Sequence, residues 1–392
     1  MMFAFVALGS GASVPASAAV ADGNAGPSGA DCSPLIHPVA RVDGAFNHLF
    51  SHQRGPGWVG GDATYSTALP DGEEAFVFSD TLIGTARAGG SARITGIVHN
   101  SELIGSISDL KSRYDGTYRS PRPLIPDTRG HGNEWQVAAT YVESGEQMVF
   151  LNEFAPRKGP FDRFTGRSGI AVLSDLARRT PVLQSIVALA GGPRTQWGNA
   201  VTYDASYRYI YGAVADASTG SFSGMKLARV PLGHSLATHT WQYWNGKRWE
   251  RGEGHAVVIP TGNELTGVMP QEGRTGYEAV SIPGSLVNDR TVDLSYACSP
   301  EGPWSTPVPV YSLPRVTSIG HEFAYIPTFH PELSPHGATV ISYNIDTTDG
   351  LSALRRDVHA YQPRFLEIGG LASPPSSTTT STTVIVIGLD GD

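Results

Sequence analysis

Only 16% of the residues are charged, two of the 392 are cysteine, and the acidic side chains outnumber the basic ones to a formal net charge of −8. Each scarcity excludes something. Surface helices need Lys- and Glu-rich outer faces, which a chain this poor in charge lacks, and no long stretch sustains a 3.6-residue hydrophobic period. An acidic balance removes the basic surface on which phosphate-backbone binding rests, so no nucleic acid is expected as a partner. No apolar run approaches the about 20 residues of a membrane-spanning helix. Two cysteines cannot make a zinc site by themselves. C-x-x-C and H-E-x-x-H are missing, and His321-Glu322 is followed by Phe-Ala-Tyr where a second His would be needed. Without a G-x-S-x-G elbow, a Walker loop or a dinucleotide fingerprint, serine-hydrolase and nucleotide-dependent readings lose their main support, and no cofactor is expected.

What is abundant is turn chemistry, with 46 Gly and 28 Pro. The first residues run from an apolar stretch, Phe3 to Leu8, into Ala16-Ser17-Ala18-Ala19, an A-x-A cleavage pattern. Residues 1–19 are accordingly expected to be a signal peptide and residues 20–40 a leader segment, although the basic start of such signals is missing; a disordered Ala/Gly/Ser leader is the competing reading. The protein is then secreted, extracellular or bound to the cell wall. In that setting Cys32 and Cys298 either form one long-range disulfide or stay unpaired. After Gly370, SPPSSTTTSTT reads as an extended Ser/Thr/Pro tail over residues 371–392, and the VIVIG beyond it is too short to anchor the chain.

Between these ends one theme recurs: small residues open an apolar strand, a turn follows, then a second strand. It appears as GGDATYSTALPDGEEAFVF from Gly60, WQVAATYVESGEQMVF from Trp135, WGNAVTYDASYRYIYG from Trp197, GNELTGVMPQEGRTGYEAVSI from Gly262 and YIPTFHPELSPHGATVISYN from Tyr325. The starts are roughly 60 to 75 residues apart, room for a four-stranded unit each. Such units bury their faces only against one another, so residues 41–370 are expected to form an all-β, five-bladed β-propeller. Outer-strand signals lie between the hairpins, among them WQYWNGKRW at Trp241 with an Asn245-Gly246 turn. The competing architecture is a β-sandwich, which seldom repeats one hairpin five times.

The first hairpin carries the sharpest chemistry. Leu69-Pro70-Asp71-Gly72-Glu73 has the composition of a three-residue loop with Gly at the left-handed position. Pairing Leu69 with Glu73 sets Asp62 opposite Asp80, with Cβ atoms about 4.5 to 5.5 Å apart. Two carboxylates that close in a water-poor cleft cannot both ionise freely, which suits an acid and a nucleophile in glycoside cleavage. That spacing leans toward retention of configuration, and a single bulge would undo it. Alternatively Asp62 caps a turn and Asp80 binds backbone amides. Glu264, opening the fourth inner strand, offers a third catalytic carboxylate or is a surface Glu. His99, Asn100, Asn199 and His330 are candidate sugar-binding groups, His330 being equally readable as a core histidine. Trp58 and Trp197 could stack on a sugar face or fill the core. Glu332 is assigned to a turn.

GWVGGDATYSTALPDGEEAFVFSDTLIG, IVHNSELI, QWGNAVTYDASYRYIYG, the GPW segment and FHPELSPHGATVISYNID followed by YQPRFLEI together resemble a group of actinobacterial secreted propeller proteins related to the endo-D-arabinanases of glycoside hydrolase family 183. The resemblance spans most of residues 55–368. It implies five blades, cleavage of a furanosyl cell-wall polysaccharide such as arabinan or arabinogalactan, and two essential aspartates that map onto Asp62 in Gly-Gly-Asp and Asp80 in Ser-Asp-Thr. Ser79 replaces a glycine of that pattern, and the second repeat lacks the Gly-Asp of close relatives. The expectation is a monomeric enzyme with a polysaccharide substrate. A catalytically silent propeller that binds cell-wall glycan is the alternative, and a lyase finds support only in scattered tyrosines. A calcium ion on the axis is compatible with such a fold, but no residue pattern argues for it.

Overall fold

The computed structural model describes residues 38–369 apart from short stretches at 129–131, 158–161, 177–180, 190–191, 193, 216–221, 272–274, 284–289, 316–319 and 335–337. The expected signal peptide, most of the leader and the Ser/Thr/Pro tail lie outside the described residues.

Antiparallel strands follow one another in sequence order from the centre outward, which is the consequence of joining each strand to the next by a short turn. The second blade is Glu134–Glu143, Glu146–Ala155, Arg163–Ser174 and Val182–Ala188. The third begins with Thr195–Tyr203 and Tyr207–Ala215 and ends in the Gln242–Trp244 and Trp249–Arg251 hairpin, where the Asn245 amide donates to the Arg248 carbonyl. The fourth runs from Gly267–Pro270 to Val308–Ser312. The fifth comprises Glu322–Phe329, Ala338–Thr347 and Arg364–Gly369, and its outermost strand is Val39–Val42 from the other end of the chain. The first blade is built of long strands that each break once, so its inner strand is Gly57–Gly61 plus Tyr65–Ala68.

Apolar side chains on facing blades close the ring. Val77 and Ile104 of the first blade meet Val149 and Leu151 of the second. Phe150 packs with Trp197 and Ile210, Leu227 with Leu265, and Leu294 with Ile341 and Ile345. Val59 and Leu82 join Phe323 and Tyr325, which brings the fifth blade back to the first. Five inter-blade cores make the molecule an all-β, five-bladed propeller. No blade could bury these faces alone.

Two tryptophans assigned to sugar stacking are part of this packing. Trp58 is 1% exposed and sits edge-on to Phe50 and tilted against Phe78, while Trp197 is fully buried against Tyr243. Rings so large give up too much apolar area to stay at a wet mouth when a blade interface is adjacent. His330 is likewise fully buried, with Nδ1 on Ser66 Oγ, Nε2 on Ser342 Oγ and Phe76 and Phe365 beside the ring. Burial drives its pKa down to about 3, so it is a neutral core histidine. Cys298 is disulfide-bonded; Cys32, the other cysteine of the chain, lies outside the described residues.

Candidate active site

The Leu69–Glu73 loop closes as its composition predicts. The Leu69 amide donates to the Glu73 carbonyl at 2.8 Å, and Gly72 takes a φ of 82°. The register it sets carries down the hairpin to Tyr65 opposite Val77 and Gly61 opposite Thr81. Between those pairs the Asp62 amide donates to the Asp80 carbonyl at 3.1 Å, but the Asp62 carbonyl accepts from the Ser79 amide at 2.9 Å. Two residues thus oppose one, the pattern of a β-bulge. Asp62 and Asp80 do face each other across the hairpin, and the bulge sits at that point.

All three long strands of the first blade break at the same level, and the breaks place Asp62, Asp80 and the His99-Asn100 pair on successive strands. What holds the break open is the next blade. Ser79 Oγ accepts from the Val137 amide at 2.8 Å and donates to the Val137 carbonyl at 3.3 Å, beside a register shift between Val137 and Ala139. Asn100 is fully committed to the scaffold. Its amide group donates to the Ile125 and Trp135 carbonyls and its oxygen accepts from the Ile125 amide, so both donors are spent, and at 1% exposure the side chain is out of a sugar's reach.

The two aspartates occupy unlike surroundings. Asp62 is 5% exposed, and its Oδ2 accepts from the Tyr325 hydroxyl at 3.2 Å. Burial and the neighbouring Asp80 charge hold its carboxyl well above the usual range, although hydrogen bonds from Tyr325, Tyr361 and the Asp80 backbone pull the other way. Asp80, 3% exposed, is also raised by burial, but Oδ1 receives His99 Nδ1 at 3.0 Å and Gln136 Nε2 at 3.1 Å, and both oppose the rise. His99 Nδ1 lies also 2.8 Å from Glu134 Oε2. Burial alone would lower the imidazole; hydrogen bonds to and charges on Asp80 and Glu134 outweigh it and push the pKa up to about 11. Glu134 is opposed by burial yet lowered, through His99 and a hydrogen bond with Asp162, whose own carboxyl rises to about 8. His99 and Gln136 therefore favour the ionised form of Asp80, and Asp62 has no cation beside it that does the same.

Around the axis the N-terminal ends of the inner strands meet in a narrow depression of about 40 Å³, lined by Asp62, Gln136, Asn199 and Glu264 from four blades and Ile326 from the fifth. It has room for water at its base, so a sugar ring would rest above it. Glu264 is half-buried; burial raises its carboxyl to about 7 and a hydrogen bond with Asn199 lowers it. Asn199 Nδ2 donates to the Leu265 carbonyl at 2.7 Å. Asn152 and Gln196 add two further amides, and among the described residues neither Lys nor Arg lines the depression. Asp62, Asn199 and Glu264 are thus brought together with Asp80 and His99 behind them, whereas Trp58, Asn100, Trp197 and His330 belong to the scaffold.

Glu134, Gln136, Tyr325 and Tyr361 were not singled out from the sequence. Glu134 and Gln136 flank Trp135 at the start of the second repeat, and Tyr325 opens the fifth, so position within the repeat was an available signal. Tyr361 lies in a short 3₁₀ turn, Val358–Tyr361, and offers none. Among the described residues, Asp80, His99 and Glu134 form the group whose potential ligand atoms all lie within 4.8 Å of one another. Two carboxylates and an imidazole could hold a divalent cation only with His99 deprotonated.

No curated protein matches the sequence. A solved structure described as a "putative hydrolase" from Bacteroides ovatus is 17% identical, over 84% of this chain and 90% of that one, with a TM-score of 0.69, a likeness of fold. More distant matches include an α-L-arabinofuranosidase from Lactobacillus brevis (10% identity, 81% and 90% covered, TM-score 0.45) and a GH43_1 enzyme from Xanthomonas citri complexed with xylotriose (12%, 83% and 92%, 0.44). Residues 43–371 match the family described as Domain of unknown function (DUF5005), and the chain belongs to that family.

Proposed function

We propose that the protein is a secreted glycoside hydrolase that cuts a furanosyl cell-wall polysaccharide of the arabinan or arabinogalactan type. The observation that carries the reading is the unequal pair in the first hairpin: Asp62, whose carboxyl burial and the Asp80 charge raise, opposite Asp80, whose Oδ1 receives His99 Nδ1 and Gln136 Nε2. One carboxylic acid and one carboxylate flanking a bond is the requirement of glycosidic cleavage. Asp62 protonates the leaving oxygen as the C–O bond breaks, and Asp80 serves either as the nucleophile, giving a glycosyl ester that water then hydrolyses with the ionised Asp62 as base, or as the base that takes a proton from an attacking water. Because the bulge sits at the pair, its register does not select between retention and inversion. Glu264 and the amides of Gln136 and Asn199 would bind sugar hydroxyls around the axis. The furanosyl substrate rests on the resemblance of the two-aspartate motif to the endo-D-arabinanases, and export on residues 1–19.

The near-complete burial of Asp80 and its bonds to His99 and Gln136 favour a second reading, a glycan-binding propeller without turnover. Incubating the purified protein with arabinogalactan and with lipoarabinomannan, then separating released oligosaccharides by chromatography, decides between them. Products are expected. Retention of either polymer without any product would transfer the assignment to binding.

A further inference from the structure

Two residues at the axial depression hold backbone conformations that L side chains rarely adopt. Ala63, next to Asp62, has a φ of 51°, and Ile326, next to Tyr325, has a φ of 41°. Both line the depression together with Asp62. The left-handed region crowds Cβ against the backbone, and for a β-branched residue such as Ile326 it is an outlier. Neither position carries the glycine that would adopt it freely. Strain of this kind persists only where the surrounding structure enforces it.

One side chain of the fifth blade reaches both. Asn344, 1% exposed, stands opposite Tyr325 in the ladder between Glu322–Phe329 and Ala338–Thr347, and one extra residue enters the first of these strands between Tyr325 and Thr328. Its Nδ2 donates to the Ile326 carbonyl at 3.3 Å, inside that bulge. Its Oδ1 accepts from Thr64 Oγ1 at 2.9 Å, one residue past Ala63. Tyr325 in turn donates to Asp62 Oδ2 at 3.2 Å. The contacts close a circuit that runs from Asp62 along the chain to Thr64, across the blade interface to Asn344, on to Ile326 and Tyr325, and back to Asp62. An amide suits the place because it donates and accepts at once, and its two partners use one of each. The far side of the bulge is tied to the fourth blade, where Thr266 Oγ1 donates to the Pro327 carbonyl at 2.6 Å. Two residues along the same face of Ala338–Thr347, Ser342 reaches Ser66 through His330, so the first and fifth blades meet in one register and Thr64 has a fixed place in it.

We infer that Asn344 is a positioning residue, which holds the backbone on both sides of the Asp62–Tyr325 contact in its strained form and thereby aims the Asp62 carboxyl into the depression, without touching substrate itself. As a statement about turnover this rests on the hydrolase reading; as a statement about the backbone it does not.

The test uses the full chain and two variants that leave Asp62 and Tyr325 in place. Thr64→Val keeps the shape and removes the hydroxyl, and Asn344→Ala removes both bonds. On a soluble arabinan oligosaccharide each is expected to lower kcat by about 10–100-fold, the cost of misplacing a reacting group by about 1 Å or less, with KM nearly unchanged and a cooperative unfolding transition retained. Adding Ala63→Gly to either variant should restore part of kcat, because glycine takes the left-handed conformation without that strain; a side chain that only filled space would gain nothing from it. Carbon-13 shifts of the Ala63 and Ile326 Cα and Cβ atoms, read by NMR without substrate, should move from left-handed toward extended or right-handed values in Asn344→Ala. If that variant does not fold, the Ala63 shifts are read in Thr64→Val. Normal kcat in both variants, a loss confined to KM, or no recovery with Ala63→Gly would overturn the inference. So would unchanged carbon shifts, which decide it even if the parent cuts no arabinan, whereas absence of turnover in the parent counts against the proposed activity alone.

Discussion

At the scale of single residues the site is governed by which carboxyl has a cation. Asp62→Asn and Asp80→Asn keep side-chain size, so a loss of turnover by about 10²–10⁴-fold or more in each, with oligosaccharide affinity retained, is expected if the pair is catalytic. If the aspartates only hold the bulge, turnover stays near normal and stability falls by roughly 1 kcal/mol. Turnover, affinity and melting temperature of the two variants separate these outcomes. The same electrostatics fix a pH dependence of stability. Glu264 at about 7, Asp162 at about 8 and His99 at about 11 all lie above their ordinary values. A group raised on folding contributes stability that is complete below its unfolded pKa and is lost as pH climbs through the folded one. The melting temperature should therefore fall steadily from about pH 5 toward alkaline pH. Glu264→Gln should flatten the part of that curve between its ordinary pKa and about 7, and a parent curve that rises over this interval would contradict the assignment.

At the scale of elements, local chemistry explains what the sequence made readable. The Leu69–Glu73 loop, its Gly72 and the pairing of Asp62 with Asp80 follow from turn rules that act within a few residues. The bulge at Ser79 does not, because it is imposed by the Val137 backbone 58 residues away. His99 was legible as a strand-end histidine, but its two carboxylate partners come from different blades. Composition alone could not separate a stacking tryptophan from a core one, since both sit near small residues at the start of an inner strand. Trp197 illustrates the consequence: Gly198 follows it with a φ of 88° and no space for a Cβ beside the Phe150 ring, so the backbone turns the indole into the interface of the second and third blades. Trp197→Ala should cost about 3–5 kcal/mol of stability. Denaturant unfolding measures it, and an unchanged midpoint with a raised KM would return Trp197 to the substrate site.

At the scale of the molecule, fivefold repetition was visible because each blade repeats the same hairpin, but closure of the ring was not, since it joins the two ends of the described chain. Val39–Val42 pairs along its length with Arg364–Gly369, from Val39 opposite Gly369 to Val42 opposite Leu366. Its side chains are mostly exposed, and the Arg41–Glu367 ion pair beside it is a surface one, screened by water and salt. The stabilising weight lies just beyond it. Asp43 caps the helix Gly44–Ser51 through the amides of Ala45 and Phe46, and this helix delivers Phe50, fully buried among Trp58, Phe76, Phe78 and Phe365. Asn47 adds Nδ2 to the Phe365 carbonyl and accepts from its amide, which ties the helix to the last strand. Shortening the chain to begin at Asp43 also removes Cys32, so measured against a Cys298→Ser chain it should lower the melting temperature by only a few degrees, through lost backbone pairing and little apolar area. Beginning at His52 removes Phe50 and the cap together, opens the seam between the first and last blades, and should leave no cooperative transition. Calorimetry of the two shortened forms checks the ranking, and a cooperative transition at the parent temperature in the second would show that the ring closes without this helix.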